Sequence, residues 1–304
     1  MKRLSLAIVA LTFLVVVVGA YVRLSDAGLG CPDWPLCYGR PLPDSGADAK
    51  AWKEMGHRYL AGTLGVLIFA LALLAWRKHQ SPWLATASAA LVVFQATLGK
   101  WTVTMLLKPA IVVAHLLGGM ALLALLTWYF LQRTSLAVPG ARALRVPAVV
   151  ALLVVAIQIL LGGWVSANYA ALACPDLPLC LGQAVPPMDF ANAFHVLREL
   201  GRTDSGELLP HAALVAIHWS HRMFALVALA VVAWVAIRTC AVSKALGGAL
   251  ALLALTQFFL GVANVVFNLP LALAAAHNAG AAALLVALVV LKFFAFRDHT
   301  STSP

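Results

Sequence analysis

Eight apolar runs constrain this chain more than any other feature of it. They lie near Leu4–Val22, His57–Trp76, Trp83–Met105, Ala110–Leu131, Val146–Val165, Leu214–Val235, Ala245–Phe267 and Leu271–Phe294. About 20 apolar residues, rising 1.5 Å each, cross the hydrocarbon core of a bilayer. Nothing in that core can satisfy a stray backbone group, so each run reads as a membrane-spanning α-helix. With 63% of its residues hydrophobic and 11% charged, the chain is too apolar for a water-soluble domain. The expected fold class is all-α and polytopic, with eight spans.

Charge placement sets an expected orientation. If the N-terminus is inside, the inner segments hold Lys2, Arg3, Arg77, Lys78, Arg133, Arg142, Arg145, Arg238, Lys244, Lys292 and Arg297, against the single acid Asp298. The other ten bases are spread over longer outer segments with ten acids. Short inner loops dense in Lys and Arg fit the positive-inside rule, with both termini cytoplasmic. The net charge of +10 is then a topology signal scattered over short segments, not a nucleic-acid patch. Lys2 and Arg3 before an apolar run also suggest a signal peptide, but no A-x-A-like site closes the run, and the segment has a counterpart deeper in the chain. No Arg- and Ser-rich transit peptide comes first, so a prokaryotic plasma membrane is expected.

That counterpart belongs to an internal repeat. Cys31-Pro-Asp-Trp-Pro-Leu-Cys37-Tyr-Gly39 recurs as Cys174-Pro-Asp-Leu-Pro-Leu-Cys180-Leu-Gly182, seven of nine positions identical at an offset of 143. His57-Arg58 matches His221-Arg222 at 164, while Gln95, Leu98, Gly99, His115 and Gly118 match Gln257, Leu260, Gly261, His277 and Gly280 at 162. About 21 extra residues therefore fall in the second large outer loop. We expect two parallel four-helix repeats, 1–137 and 138–304, related by a pseudo-two-fold axis along the membrane normal.

Ionisable residues inside a membrane are costly and so are functional hypotheses by default. Four of the nine histidines obey the repeat: His57, His115, His221 and His277. Each is expected in the first turns of its span, near the outer surface. His57 can then face His115 across one bundle, and His221 can face His277 across the other. Two opposed imidazoles on separate helices are what six-coordinate haem iron needs. The plain alternative is hydrogen bonding between helices, which one histidine would suit better than four in matching pairs. Metal binding without haem finds no third repeated ligand. His79 and His299 read as solvated inner residues, and His195 and His211 fall in the second outer loop or at its end. His218 precedes His221 by three residues, on nearly the same face, but the repeat assigns the ligand role to His221.

The halves differ at one telling position. The residue three before the ligand is Glu54 in the first half and His218 in the second. A carboxylate there can act as acid, base or cation stabiliser, or can simply be a helix-end acid. Arg58 and Arg222, next to the ligands, suit either haem propionates or an anchoring role at the interface. Cys31 with Cys37, and Cys174 with Cys180, read as one disulfide within each outer loop, a redox role being the sharper alternative. No Cys-x-x-Cys-His is present, so covalent c-type haem is not indicated. Cys240 has no partner. In the inserted segment, Phe190, Phe194, Leu197 and Leu200 follow a cap at Asp189 at helical spacing and predict an amphipathic helix on the outer face.

Eight spans in two repeats, Glu54-x-x-His57-Arg58 opening the second span, four repeat-matched histidines and a Cys-x5-Cys first outer loop together resemble the haem A synthase family, over nearly the whole chain. The resemblance implies oxidation of the C8 methyl of haem O to a formyl group, stepwise through an alcohol, with the oxygen ultimately from water. It implies substrate haem held by His57 and His115 with Glu54 beside the reacting centre, and a resident haem b on His221 and His277 that relays electrons. It further implies an electron acceptor, a haem O-producing farnesyltransferase as supplier and terminal oxidases as destination, and leaves a homo-oligomer open. The second cysteine pair is not required by the family pattern. Two rivals remain at this stage. A quinol-linked di-haem electron-transfer cytochrome gives no reason for Glu54 to break the repeat. A parallel-repeat transporter would need polar residues and broken helices near the midplane.

Overall fold

The computed structural model describes residues 1–44 and 46–297. Asp298 and His299, two of the residues assigned to the inner face, lie outside the described residues. Eight helices are long and apolar enough to cross a membrane. They are α1 (Lys2–Leu24), α2 (Ala49–Arg77), α3 (Pro82–Thr104), α4 (Pro109–Leu131), α5 (Arg145–Ala167), α7 (His211–Cys240), α8 (Lys244–Val266) and α9 (Leu271–Phe296), with a one-turn helix α6 (Phe190–Ala193) between α5 and α7. No strand occurs among the described residues.

Several helices start earlier than their apolar runs. α2 begins at Ala49, where the Asp48 side chain accepts a hydrogen bond from the Lys50 N–H and caps the end. Its first two turns carry Lys50, Lys53 and Glu54, which a hydropathy window excludes but a capped helix accommodates. His57 is therefore two turns inside α2, and His221 lies deeper still in α7, which begins at His211. Pro109 sits in the first turn of α4, where a missing N–H costs nothing.

The inserted segment departs from expectation. Asp189 does cap a helix, accepting from the Asn192 N–H at 3.1 Å, but the helix ends after Ala193 instead of running on through Leu200. Arg198 explains the ending. Its Nε donates to the Asn192 carbonyl at 3.1 Å, taking an acceptor that a continuing helix would use, and its Nη2 donates to Asn168 Oδ1 at 2.5 Å. The arginine is buried, so the segment is pinned to the end of α5 while Leu197 remains exposed.

α1, α2, α3 and α4 pack in sequence, and α4 closes back on α1. α5, α7, α8 and α9 close a second ring in the same way. The rings meet where α1 and α4 touch α9 and where α4 touches α5. α9 is the most enclosed span, half of its apolar window being buried. Its buried residues gather in the second half, at Leu284, Leu285, Leu288, Leu291, Phe293 and Phe294, where the helix packs against α1, α4, α5 and α8. Outward positions such as Val66, Ile237, Leu252 and Phe259 are exposed apolar residues, as a lipid-facing surface requires. At one end of the molecule Arg23 joins the rings, donating to the Ser166 carbonyl at 2.7 Å and lying 4.0 Å over the Tyr169 ring. At the other end Arg297 donates to the carbonyls of Thr134 and Leu136, at 2.9 and 2.6 Å.

Candidate functional site

Both cysteine pairs are bridged, Cys31 to Cys37 and Cys174 to Cys180. The shared sequence makes the same loop twice. Asp33 accepts from the N–H groups of Tyr38 and Gly39 at 2.6 and 2.8 Å, and Asp176 accepts from Leu181 and Gly182 at 2.7 and 2.8 Å. Tyr38 and Leu181 each adopt a φ of 54°, and the glycines after them a φ of 72°. These left-handed residues turn two successive amides onto one carboxylate, and only the glycine positions do so without steric cost. The bonds, led by those from Gly39 and Gly182, hold both carboxyls below their ordinary pKa.

Each loop is clamped onto the next membrane-spanning helix. Arg58 of α2 donates to the carbonyls of Asp33 at 2.9 Å and Leu36 at 2.7 Å. Arg222 of α7 donates to those of Leu179 at 3.0 Å and Pro178 at 3.2 Å. The two arginines, which the sequence left between propionate partners and interface anchors, thus rest on loop backbone. A second clamp lies one turn before each arginine. Glu54 Oε2 accepts from the Cys31 N–H at 2.8 Å, and His218 Nδ1 accepts from the Cys174 N–H at 3.2 Å. Glu54 Oε1 also takes Arg58 Nη2 at 2.5 Å. Both residues are buried, each 4% exposed. His218 is thereby accounted for as a loop clamp, a role that spacing alone could not supply.

The four repeat-matched histidines lie on helices that face each other across their rings. His57 on α2 and His115 on α4 are electrostatic neighbours, as are His221 on α7 and His277 on α9. Yet neither α2 with α4 nor α7 with α9 is a packed helix pair. Each ring of the imidazoles leans instead on a glycine of an adjacent helix. A Cβ at Gly19 would lie 2.8 Å from His57 Cε1, and one at Gly162 would lie 3.0 Å from His221 Cε1. At Gly99 and Gly261 the corresponding approaches to His115 and His277 are 3.4 and 3.5 Å. Gly19 and Gly162 obey the offset of 143 found for the cysteine loops, so the repeat carries a signal for them as it does for Gly99 and Gly261.

These residues fit haem. The ring Nδ1 atoms of His57, His115 and His277 are buried without a hydrogen-bond partner, whereas none of the four Nε2 atoms is so trapped. Paired imidazoles held across a gap between unpacked helices, each with a glycine behind it, suit a flat group ligated from both faces. Among the described residues no three His, Cys, Asp or Glu side chains converge as a set of ligands for a bare metal ion. Of the four repeat-matched histidines, His221 is the one with a partner at Nδ1, the Gln158 side chain at 3.1 Å. Of the remaining histidines, His79 lies in the α2–α3 turn, His195 Nε2 is 3.7 Å from Asp204, and His211 opens α7. Cys240 is an exposed free thiol at the end of α7 opposite the disulfide loops.

Comparison with known proteins gives a consistent picture. The family described as cytochrome oxidase assembly protein matches residues 2–289. A haem A synthase from Shewanella oneidensis is 40% identical over 96% of this chain and 96% of its own length. Haem A synthases from Halalkalibacterium halodurans and Rhizorhabdus wittichii are 30% and 28% identical, over 69% and 93% of the chain and 73% and 90% of their own lengths.

Proposed function

This chain belongs to the cytochrome oxidase assembly protein family, and we propose that it is a membrane oxidoreductase of haem A synthesis, converting haem O to haem A. The observation that carries the reading is the pair of imidazole pairs, His57 with His115 and His221 with His277, each across a ring of helices and backed by glycine. In this reading His57 and His115 hold substrate haem O within 1–137. His221 and His277 hold a resident haem b within 138–304, where it supplies one-electron transfer.

The reaction converts a methyl carbon and one water into a formyl group and releases four electrons and four protons, so an electron acceptor must take part. The residues of this chain bind and orient. The histidine pair fixes the substrate by its iron, so that the methyl edge returns to one place through successive oxidations. Glu54 supplies a negative charge in a water-poor site, where stabilisation of positive charge developing at the methyl carbon is strongest. Its pairing with Arg58 and the Cys31 amide fixes that carboxylate in place. Arg58 and Arg222 hold the disulfide loops over the ring ends, which limits access of water.

Haem O arrives from an upstream farnesyltransferase, and the product serves assembly of terminal oxidases. The protein lies in a prokaryotic plasma membrane with both termini cytoplasmic and both disulfides outside. The test is haem extraction and chromatography from cells that express the chain with a source of haem O. Haem A together with haem b is the expected result. Haem b in both halves, with neither haem O nor haem A, would identify a plain electron-transfer cytochrome instead.

A further inference from the structure

We infer that Gln158 is a positioning residue for the His221 imidazole, and that it makes the second ring the one that keeps its haem. This rests on the reading of His221 and His277 as the haem b ligands. α5 presents Gln158 and Gly162, one turn apart, on the face that meets His221. The Gln158 Nε2 atom lies 3.1 Å from His221 Nδ1 and 3.2 Å from the His221 carbonyl oxygen. Gln158 Oε1 is buried with no partner.

A neutral imidazole has one donor and one acceptor nitrogen, and the group facing Nδ1 decides which is which. With the amide nitrogen facing it, Nδ1 accepts and the ring proton sits on Nε2. Ligation of iron through Nε2 needs the reverse, a proton on Nδ1 and an acceptor opposite. Gln158 carries that acceptor in its unpartnered oxygen, and a half-turn of the amide presents it to Nδ1. The turn gives up the bond to the His221 carbonyl, which helix geometry already provides with an acceptor role within α7. The turn gives Oε1 a partner while taking Nε2 from both of its acceptors, an exchange that ligation of the iron must offset, and it makes His221 the more basic ligand.

The first ring lacks this device. At the register of α1 that matches Gln158 stands Val15, one turn before Gly19, and His57 Nδ1 is buried unpartnered. Gly19 gives His57 a seat but nothing grips the ring. The second ring is also tied at its other ligand, since Gln257 Nε2 donates to the His277 carbonyl at 2.8 Å while the matching Gln95 Nε2 has no partner. A substrate must leave its site and a resident cofactor must not, and the polar contacts divide accordingly.

The experiment uses purified full-length protein loaded with haem b, reading the midpoint potential of the low-spin haem and its rate of transfer to apomyoglobin. Loss of a hydrogen bond of this kind costs on the order of 10–100-fold in affinity. Gln158→Leu should therefore speed transfer from the second ring by about that factor and raise the potential. Gln158→Glu, a stronger acceptor for Nδ1–H, should lower the potential below wild type, a reversal that a packing role alone would not produce. Val15→Gln should slow haem loss from the first ring. Wild-type potential and transfer rate in both Gln158 variants would overturn the inference, as would potentials displaced in the same direction. A wild-type protein that holds no bis-imidazole haem would instead remove the functional reading on which it rests.

Discussion

Glu54 and His218 perform one structural task with different chemistry. Each accepts the N–H of the first cysteine in its loop, yet only the glutamate brings a carboxylate. That separates holding the loop from stabilising charge. Glu54→Ala removes both functions, whereas Glu54→His keeps an acceptor where the second ring already uses one. If the charge acts on the reaction, both variants should take up haem O and slow haem A formation, by on the order of 10²–10³ for loss of one preorganised group. Near-normal haem A from Glu54→His would show that Glu54 only holds the loop. The glycine seats give a second, graded test. At Gly19 and Gly162 an added methyl meets the imidazole at 2.8 and 3.0 Å, so the ring must move; at Gly99 and Gly261 the 3.4 and 3.5 Å approaches are ordinary contact. Gly19→Ala and Gly162→Ala should perturb the low-spin haem spectrum, each in its own ring, while Gly99→Ala and Gly261→Ala should leave it close to wild type. Equal effects at all four positions would mean that the seats do not set ring placement.

Among the elements, the two disulfide loops show how much a short sequence can determine by itself. Asp33 and Asp176 gather the amides that close the turns, and those bonds, which favour the charged form, hold their carboxyls below the ordinary carboxylate range. A carboxyl depressed on folding stabilises the loop above its unfolded pKa and loses that contribution as pH falls through the folded value. Loop closure should therefore be indifferent to pH from neutral down to about 4 and loosen only below that, with Asp33→Asn loosened at all pH values. Disulfide reduction by a phosphine, followed against pH, measures this; a transition near pH 6 would point to a histidine instead. The repeat made these loops legible, because seven identical residues in nine leave little freedom. The spans were legible from apolar runs, but their starts were not, since polar first turns such as that of α2 depend on a cap and on packing beneath a loop. The helix expected over Phe190–Leu200 failed because Arg198, far from Asn168 in sequence, takes a carbonyl the helix needed. Gln158 escaped notice for the opposite reason to the loops: it breaks the repeat at an uncharged position, and neither symmetry nor charge draws attention to it.

Across the whole molecule, two closed rings of helices meet along α1, α4, α5 and α9, and their polar residues are not distributed alike. The four repeat-matched imidazoles and the loop clamps lie toward the disulfide end, whereas the opposite end carries Arg133, Arg145 and Arg297 bound to backbone or packed on aromatic rings. Such a division suits the proposed orientation, in which the disulfide end faces outward. Cysteine placement lets the orientation be measured without adding a probe. Cys240 is exposed and free at the end of α7 opposite the disulfides, and the other four cysteines are all bridged. With the positive-inside arrangement, a membrane-impermeant maleimide should label Cys240 in inverted vesicles and not in right-side-out ones. After brief treatment with an impermeant reductant, right-side-out vesicles should gain label at Cys31, Cys37, Cys174 and Cys180, and a Cys240→Ser variant should retain that gain. Labelling of Cys240 from the outside would invert the molecule. It would also place both disulfides in a reducing compartment, where bridges of this kind do not persist.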